Sequence, residues 1–443
     1  MRPASLASAA GRALDGRGEV TIVAAMAPQQ PDDLLTALLR VARARAIPVR
    51  LLVADITGEF RFLDEEAGRD LSAGRLAITL LAGSVPRRLA PLVDSVPASL
   101  GEIDRLLADG ALACDIFAVR MQRTRRGLEV GNAVGYTMTM LARPSVTVMV
   151  EAAADGSSVP GLYPVTAELP AGAIVCGAGR RPAGARAATS PAANPVRERI
   201  AWHLARLIPP DATLQVGIGG VAESLIIALA GRQHIGFHSG ILPTALRARL
   251  AAGDFTGDAK TVDRGLAVCT SLGPDAGAQP WPAALRLRPL AETHAPEALA
   301  RHERLWAVNS AFSVDLRGQV NAEWAGGLKV ACGGGQLDFA RAAHRSPHGA
   351  SVIALPARTA RGQGRIVARL DPGGAVTTPA SDIDFVVTEY GTARLGGRTL
   401  GERARALAAV AHPDDRASLL AGQRPAELDT PPTVVTRHCR LGS

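Results

Sequence analysis

Short apolar runs alternate with amphipathic stretches along most of this chain. Val20–Ala27 and Val49–Ala54 read as buried strands, and Asp32–Arg45 between them places Leu34, Leu35, Leu38, Leu39 and Val41 at helical spacing. Further strand-like runs follow at Leu76–Leu81, Ile116–Val119 and Val146–Val150. Strand, helix and strand in succession predict an α/β protein with a largely parallel sheet.

Between Gly177 and Asn194 the periodicity gives way to Gly, Ala, Arg, Pro and Ser, the composition of a surface loop or linker. Asn194-Pro195 then reads as an N-cap and a first helical residue, opening a helix with Ile200, Leu204 and Leu207 on one face. A second α/β half follows. Its strands are expected at Leu214–Gly217, Ile235–Phe237, Leu266–Cys269, Leu305–Val308, Ser351–Leu355 and Phe385–Thr388, with helices at Val221–Ala230 and Leu242–Leu250. Thr399–Leu420 reads as a helix broken at His412-Pro413. The expected division is an N-terminal domain over residues 1–190 and a C-terminal domain over 191–443.

Three glycine-bearing turns are the candidate ligand sites. In Gln215-Val216-Gly217-Ile218-Gly219-Gly220 a strand runs through glycines into a helix, whose N-terminus offers N–H groups to an anion. The spacing matches neither a dinucleotide fingerprint nor a Walker loop. Gly333, Gly334 and Gly335 precede a helix start in which Gln336 and Asp338 occupy the first turn and also suit capping. Ala311–Glu323 reads as two strands around a turn at Arg317-Gly318. If Val320–Glu323 is a strand, alternation puts Asn321 and Glu323 on one face.

Composition narrows the function. The 443-residue chain carries a net charge of +8, yet only Lys260 and Lys329 are lysines, and arginines are spread along its whole length. Aromatic residues make up 3%, which argues against a stacking nucleic-acid surface. Five well-separated cysteines without metal spacing fit free thiols in a reducing compartment and no metal site. Met1–Val20 lacks an uninterrupted apolar core, and no apolar run is long enough to span a bilayer, so a cytoplasmic protein without membrane partners is expected.

Taken together, these words resemble the acetyl-CoA hydrolase/transferase family, which includes 4-hydroxybutyrate and acetate CoA-transferases. The resemblance is carried by Gln215-Val216-Gly217-Ile218-Gly219, Asn309-Ser310-Ala311, Val314-Asp315-Leu316 and Gly318–Glu323. It continues through Gly334-Gly335-Gln336, Asp338-Phe339, Ile353–Pro356, Gly364–Val367, Thr377-Thr378-Pro379, Ser381–Asp384, Val386–Gly391, Glu402-Arg403-Ala404 and Ala411-His412-Pro413. It is dense over residues 195–420 and thin before 190.

The resemblance implies two CoA-transferase-type α/β domains with the active site between them, and usually a homodimer. It implies acyl-CoA as substrate, a small carboxylate or other acceptor as partner, and glycine-loop amides at the developing oxyanions. In such enzymes a glutamate in a His-Ser/Thr-Glu word attacks the thioester. Here the word is His238-Ser239-Gly240, and glycine has no group to attack with. The vacated space is expected to admit water or an acceptor. Ser313 and Cys332 also depart from the family pattern, as does Arg120-Met121-Gln122-Arg123. Glu323 beside Asn321 then becomes the candidate general base for direct attack on the thioester. The alternatives are Glu323 as covalent nucleophile, or a CoA-binding protein without turnover. Gly217, Gly219, Gly333, Gly334, Gly335, Gln336 and Glu389 are the candidate CoA-site residues; Cys332, His238 and His412 read as structural.

Overall fold

A computed structural model describes residues 5–28, 30–56, 58–153, 168–177, 194–273 and 281–421. The stretch 177–194 read as a linker lies almost wholly outside them.

The first half contributes β1 (Val20–Ala24), β2 (Val49–Asp55), β3 (Leu76–Gly83) and β4 (Val93–Ser95). It also contributes β5 (Ile116–Thr124), β6 (Gly127–Val130), β7 (Thr147–Ala153) and β8 (Ile174–Gly177). Their order is β4-β3-β2-β1-β5-β7-β8, parallel along this path, with β6 antiparallel on β5. The buried faces are Val, Ile, Leu and Ala on both sides, as a parallel sheet covered by helices requires. The helix Asp32–Ala44 returns five buried apolar side chains to this sheet. Its N-terminus is tied down from within, because the buried Glu151 accepts from the Leu34 amide at 3.0 Å and pairs with the buried Arg120.

The second half begins as the sequence predicts, with Asn194 accepting from the Arg197 amide and Pro195 opening the helix Pro195–Leu207. Its main strands are β9 (Thr213–Val216), β10 (Gly236–Leu242), β11 (Ala267–Leu272), β12 (Leu285–Leu287) and β13 (Leu305–Asn309). Short β14 (Ser313–Asp315), β15 (Val320–Asn321), β16 (Trp324–Ala325) and β17 (Leu328–Lys329) follow. Then come β18 (Ala350–Ala354), β19 (Ile366–Val367), β20 (Phe385–Thr388) and β21 (Gly391–Arg394). The large sheet has the order β12-β11-β10-β9-β13-β18-β20-β21, parallel except for β21.

Two expectations need correction. The strand read as ending at Phe237 runs on to Leu242, so His238, Ser239 and Gly240 lie within β10. Their polarity hides a strand that is nonetheless buried there, His238 and Ser239 being about 1% and 0% exposed. Second, the strand read over Val320–Glu323 stops at Asn321, so period-two alternation does not relate Asn321 to Glu323. The turn at Gly318, with φ of +93°, forms as expected.

The halves are joined along several seams. Val85 donates to the Val330 carbonyl at 3.0 Å and Cys332 to that of Gly83 at 2.9 Å, extending β3 toward the glycine loop. On the other side, Val134 and Leu272 exchange bonds with Thr270 and Asn132. One apolar cluster runs from Val23, Phe117 and Tyr136 in the first half to Leu214, Phe237 and Val352 in the second. Among the described residues no helix is long and apolar enough to cross a membrane.

Candidate active site

The strand order of the second sheet reverses between β9 and β13, and a crevice opens at the carboxyl ends of strands at such a reversal. Gly217 sits there. A Cβ on it would lie 3.1 Å from the Asn309 Oδ1, which ends β13 and exchanges paired amide bonds with Gln215 at 3.0 and 3.1 Å. Gly219 follows with φ of +120°, a conformation glycine adopts without strain, and starts the helix Gly220–Ala228.

Next to β9, the Ser239 hydroxyl donates to the Val216 carbonyl at 3.0 Å, which sets Gly240 beside the same edge. Gly240 is half-buried, but the volume a side chain there would take is not vacant, contrary to expectation. The His294 imidazole fills it: a Cβ on Gly240 would lie 2.9 Å from Nε2 and 3.2 Å from Cε1. The ring's other side meets Gly335, where a Cβ would fall 2.6 Å from Nε2. Phe339 packs edge-on at 4.8 Å. His294 is 1% exposed, and burial pushes its pKa down to about 3, so the ring is neutral. The Thr293 hydroxyl lies 3.1 Å from the Pro289 carbonyl and 2.8 Å from Nδ1, which it holds by a hydrogen bond. Nε2 has no hydrogen-bond partner.

Gly333, Gly334 and Gly335 lead from Cys332 into the helix Gln336–Arg345, so their amides stand at the helix end that favours anions. A Cβ on Gly333 would meet Glu323 Oε1 at 3.2 Å and Thr377 Cγ2 at 3.1 Å. The loop thus runs between Glu323 and the Gly240–His294 contact, bringing three sequence-predicted features together.

Asn321 and Glu323 are neighbours, but their roles divide. The Asn321 oxygen accepts from the Glu323 and Trp324 amides at 3.1 and 2.9 Å, and its nitrogen donates to the Trp324 carbonyl at 2.9 Å. All of this holds the turn that carries Glu323, so Asn321 positions Glu323. The Glu323 carboxylate pairs with Lys329 Nζ at 3.3 Å across the β16–β17 hairpin, whose turn residues Gly326 and Gly327 both have positive φ. Sequence reasoning gave Lys329 no role.

Gln336 donates to the Thr378 hydroxyl at 3.1 Å and fastens the loop. Asp338 does not cap its own helix. It accepts from the Ser99 hydroxyl and, at 3.0 Å, from the Gly101 amide, capping the helix Leu100–Ala108 of the other half. Burial pushes its carboxyl up to about 6. Glu389 accepts from the Ala357 amide at 2.9 Å and faces Arg365, so it orders that loop. Burial raises the Cys332 thiol to about 11, as befits a packing residue, and His238 is buried with Nε2 on the Thr293 carbonyl. Among the described residues no cluster of three or more His, Cys, Asp or Glu is placed to hold a metal.

Residues 282–422 match the family model of the acetyl-CoA hydrolase/transferase C-terminal domain. It is 36% identical over 237 residues to the 4-hydroxybutyrate coenzyme A transferase of Clostridium kluyveri, covering 52% of this chain and 54% of that protein. It is 32% identical over 243 residues to the succinyl-CoA:cyclohexane-1-carboxylate CoA transferase of Geobacter metallireducens, covering 53% and 55%. The chain thus spans about half the length of the curated relatives it matches. Among solved structures, RipA from Yersinia pestis superposes with a TM-score of 0.77 at 26% identity over 93% of this chain and 95% of that one. The 4-hydroxybutyrate CoA-transferase of Porphyromonas gingivalis gives 0.73 at 23% identity, over 94% and 96%, and shows the fold alone. The architecture is that of a CoA-transferase: mixed α/β with parallel sheets.

Proposed function

We propose that this chain transfers or hydrolyses an acyl group of an acyl-CoA by direct attack on the thioester, without a glutamyl intermediate at position 240. What carries the reading is the glycine loop Gly333–Gly335, set between Glu323 and Gly240 in a chain whose relatives are CoA transferases. In this scheme the loop amides stabilise the oxyanion that forms on the thioester carbonyl. The Glu323 carboxylate takes the proton of an attacking water, the C–S bond breaks, and the thiolate of CoA takes that proton back from Glu323. With a small carboxylate as acceptor, its oxygen attacks the thioester carbonyl and the CoA thiolate leaves, giving a mixed anhydride; the thiolate then attacks the acceptor's carbonyl, releasing the first acyl group as a carboxylate, and Lys329 screens the paired charges. Residues 1–190 and 191–443 act as two domains with the acyl-CoA between them, in a cytoplasmic homodimer without a metal.

The test is CoA release from a panel of acyl-CoAs, with and without acetate or butyrate. Turnover is expected, and borohydride or hydroxylamine should trap no protein-bound ester. Glu323→Gln should lower the rate at least about 100-fold; an unchanged rate would remove Glu323 as the base. A second reading is favoured by the filled space at Gly240: a protein that binds acyl-CoA without turnover. Acyl-CoA binding with no CoA release decides for it.

A further inference from the structure

Neither glycine of the His294 slot is required by its own backbone. Gly240 lies in regular β10 and Gly335 has φ of −87°, values open to any residue. What forbids a side chain at both is the imidazole, which stands 2.9 Å from the place a Cβ would take on Gly240 and 2.6 Å from that on Gly335. The ring cannot swing away cheaply. Thr293 holds Nδ1, Phe339 closes one side, and the whole residue is buried. Real Cβ atoms do not approach a neighbour so closely, so even alanine at 240 needs His294 to move.

We propose that His294 is a specificity-determining residue that excludes the glutamyl route, forming with Gly240 and Gly335 a matched set in which the imidazole occupies the volume a side chain on β10 would need. The absent carboxylate is then only half of the change. A glutamate restored at 240 meets the ring and cannot project toward the glycine loop, so acyl transfer stays confined to direct attack. The unpartnered Nε2 agrees with this: the ring is seated for its shape, against two glycines, in a place that offers that nitrogen no hydrogen bond. The inference rests on the acyl-CoA reading of this site, while its steric part stands without it.

Two experiments test it. The first is a thermal double-mutant cycle. Gly240→Ala should lower Tm by about 3 °C in the native background and leave it unchanged in a His294→Ala background. Additive changes would overturn the inference. The second compares Gly240→Glu with Gly240→Glu/His294→Ala after incubation with acetyl-CoA and borohydride. Only the double variant should give a trapped product at position 240. Equal trapping in both, or none in a double variant that binds acetyl-CoA by calorimetry, would overturn the inference. Failure of the wild-type protein to bind acetyl-CoA would instead overturn the acyl-CoA reading, and the thermal cycle would still decide the steric claim.

Discussion

The Asn321 side chain takes two backbone N–H donors on its oxygen and gives one proton to the Trp324 carbonyl, so alanine there strands three backbone groups near Glu323. Asn321→Ala should cost about 2 kcal/mol in urea unfolding and also reduce turnover, because the turn carrying Glu323 loosens. Retained turnover would show that Glu323 needs no such support. Gly335→Ala tests the other flank: its Cβ meets the His294 ring, and lower Tm with impaired acyl-CoA binding is expected. At this scale the sequence was partly legible. Glu323, Asn321 and the glycine loop stood out because their chemistry is unusual for a turn. His294 did not, since one histidine between Thr293 and Ala295 carries no periodic or motif signal. The only trace of it was indirect, in two glycines whose conformations leave their identity unexplained.

Between elements, the contact most open to test is Asp338 capping the helix Leu100–Ala108 across the seam. Burial raises the folded carboxyl to about 6, above its ordinary value of 3.8. The native state therefore holds a proton that the unfolded chain releases, and this group's contribution to stability is present at low pH and lost as pH rises through 6. Asp338→Asn removes that titration. The unfolding free energy of the variant relative to wild type should increase between pH 4 and pH 7, by an amount on the order of 1 kcal/mol; a constant difference would refute the assignment. Most elements were readable from hydrophobic spacing. Phe385–Thr388 coincides with β20, and the break at His412-Pro413 falls between two helices. β10 was cut short because His238-Ser239-Gly240 is not apolar, although a strand covered on both faces buries whatever it carries. The small β4, β6 and β12 were missed for want of length.

Among the described residues one apolar cluster spans both sheets, and a second, centred on the first, is flanked by Leu328, Val330 and Cys332 of the second half. Halves that share a core unfold together. All four tryptophans (Trp202, Trp281, Trp306 and Trp324) belong to the second half, so their fluorescence reports on it alone. The urea transition followed by tryptophan fluorescence should coincide with that followed by far-UV circular dichroism, which sees both halves. A separate earlier or later phase in the dichroism would show that the first half melts independently. The α/β plan with parallel sheets was legible from the alternation of strands and helices; the shared core was not, because sequence spacing says which face is buried and nothing of what covers it.

The slot around His294 also constrains the order in which residue changes can accumulate. With the backbone in place, a carboxylate on β10 and an imidazole at 294 compete for one volume, while glycine at 240 with a small residue at 294 leaves a hole. Any single-step path between the two pairings crosses either a clash or a cavity. The Gly240–His294 pair is therefore held by a barrier on each side, and a side chain added at position 240 alone leads uphill.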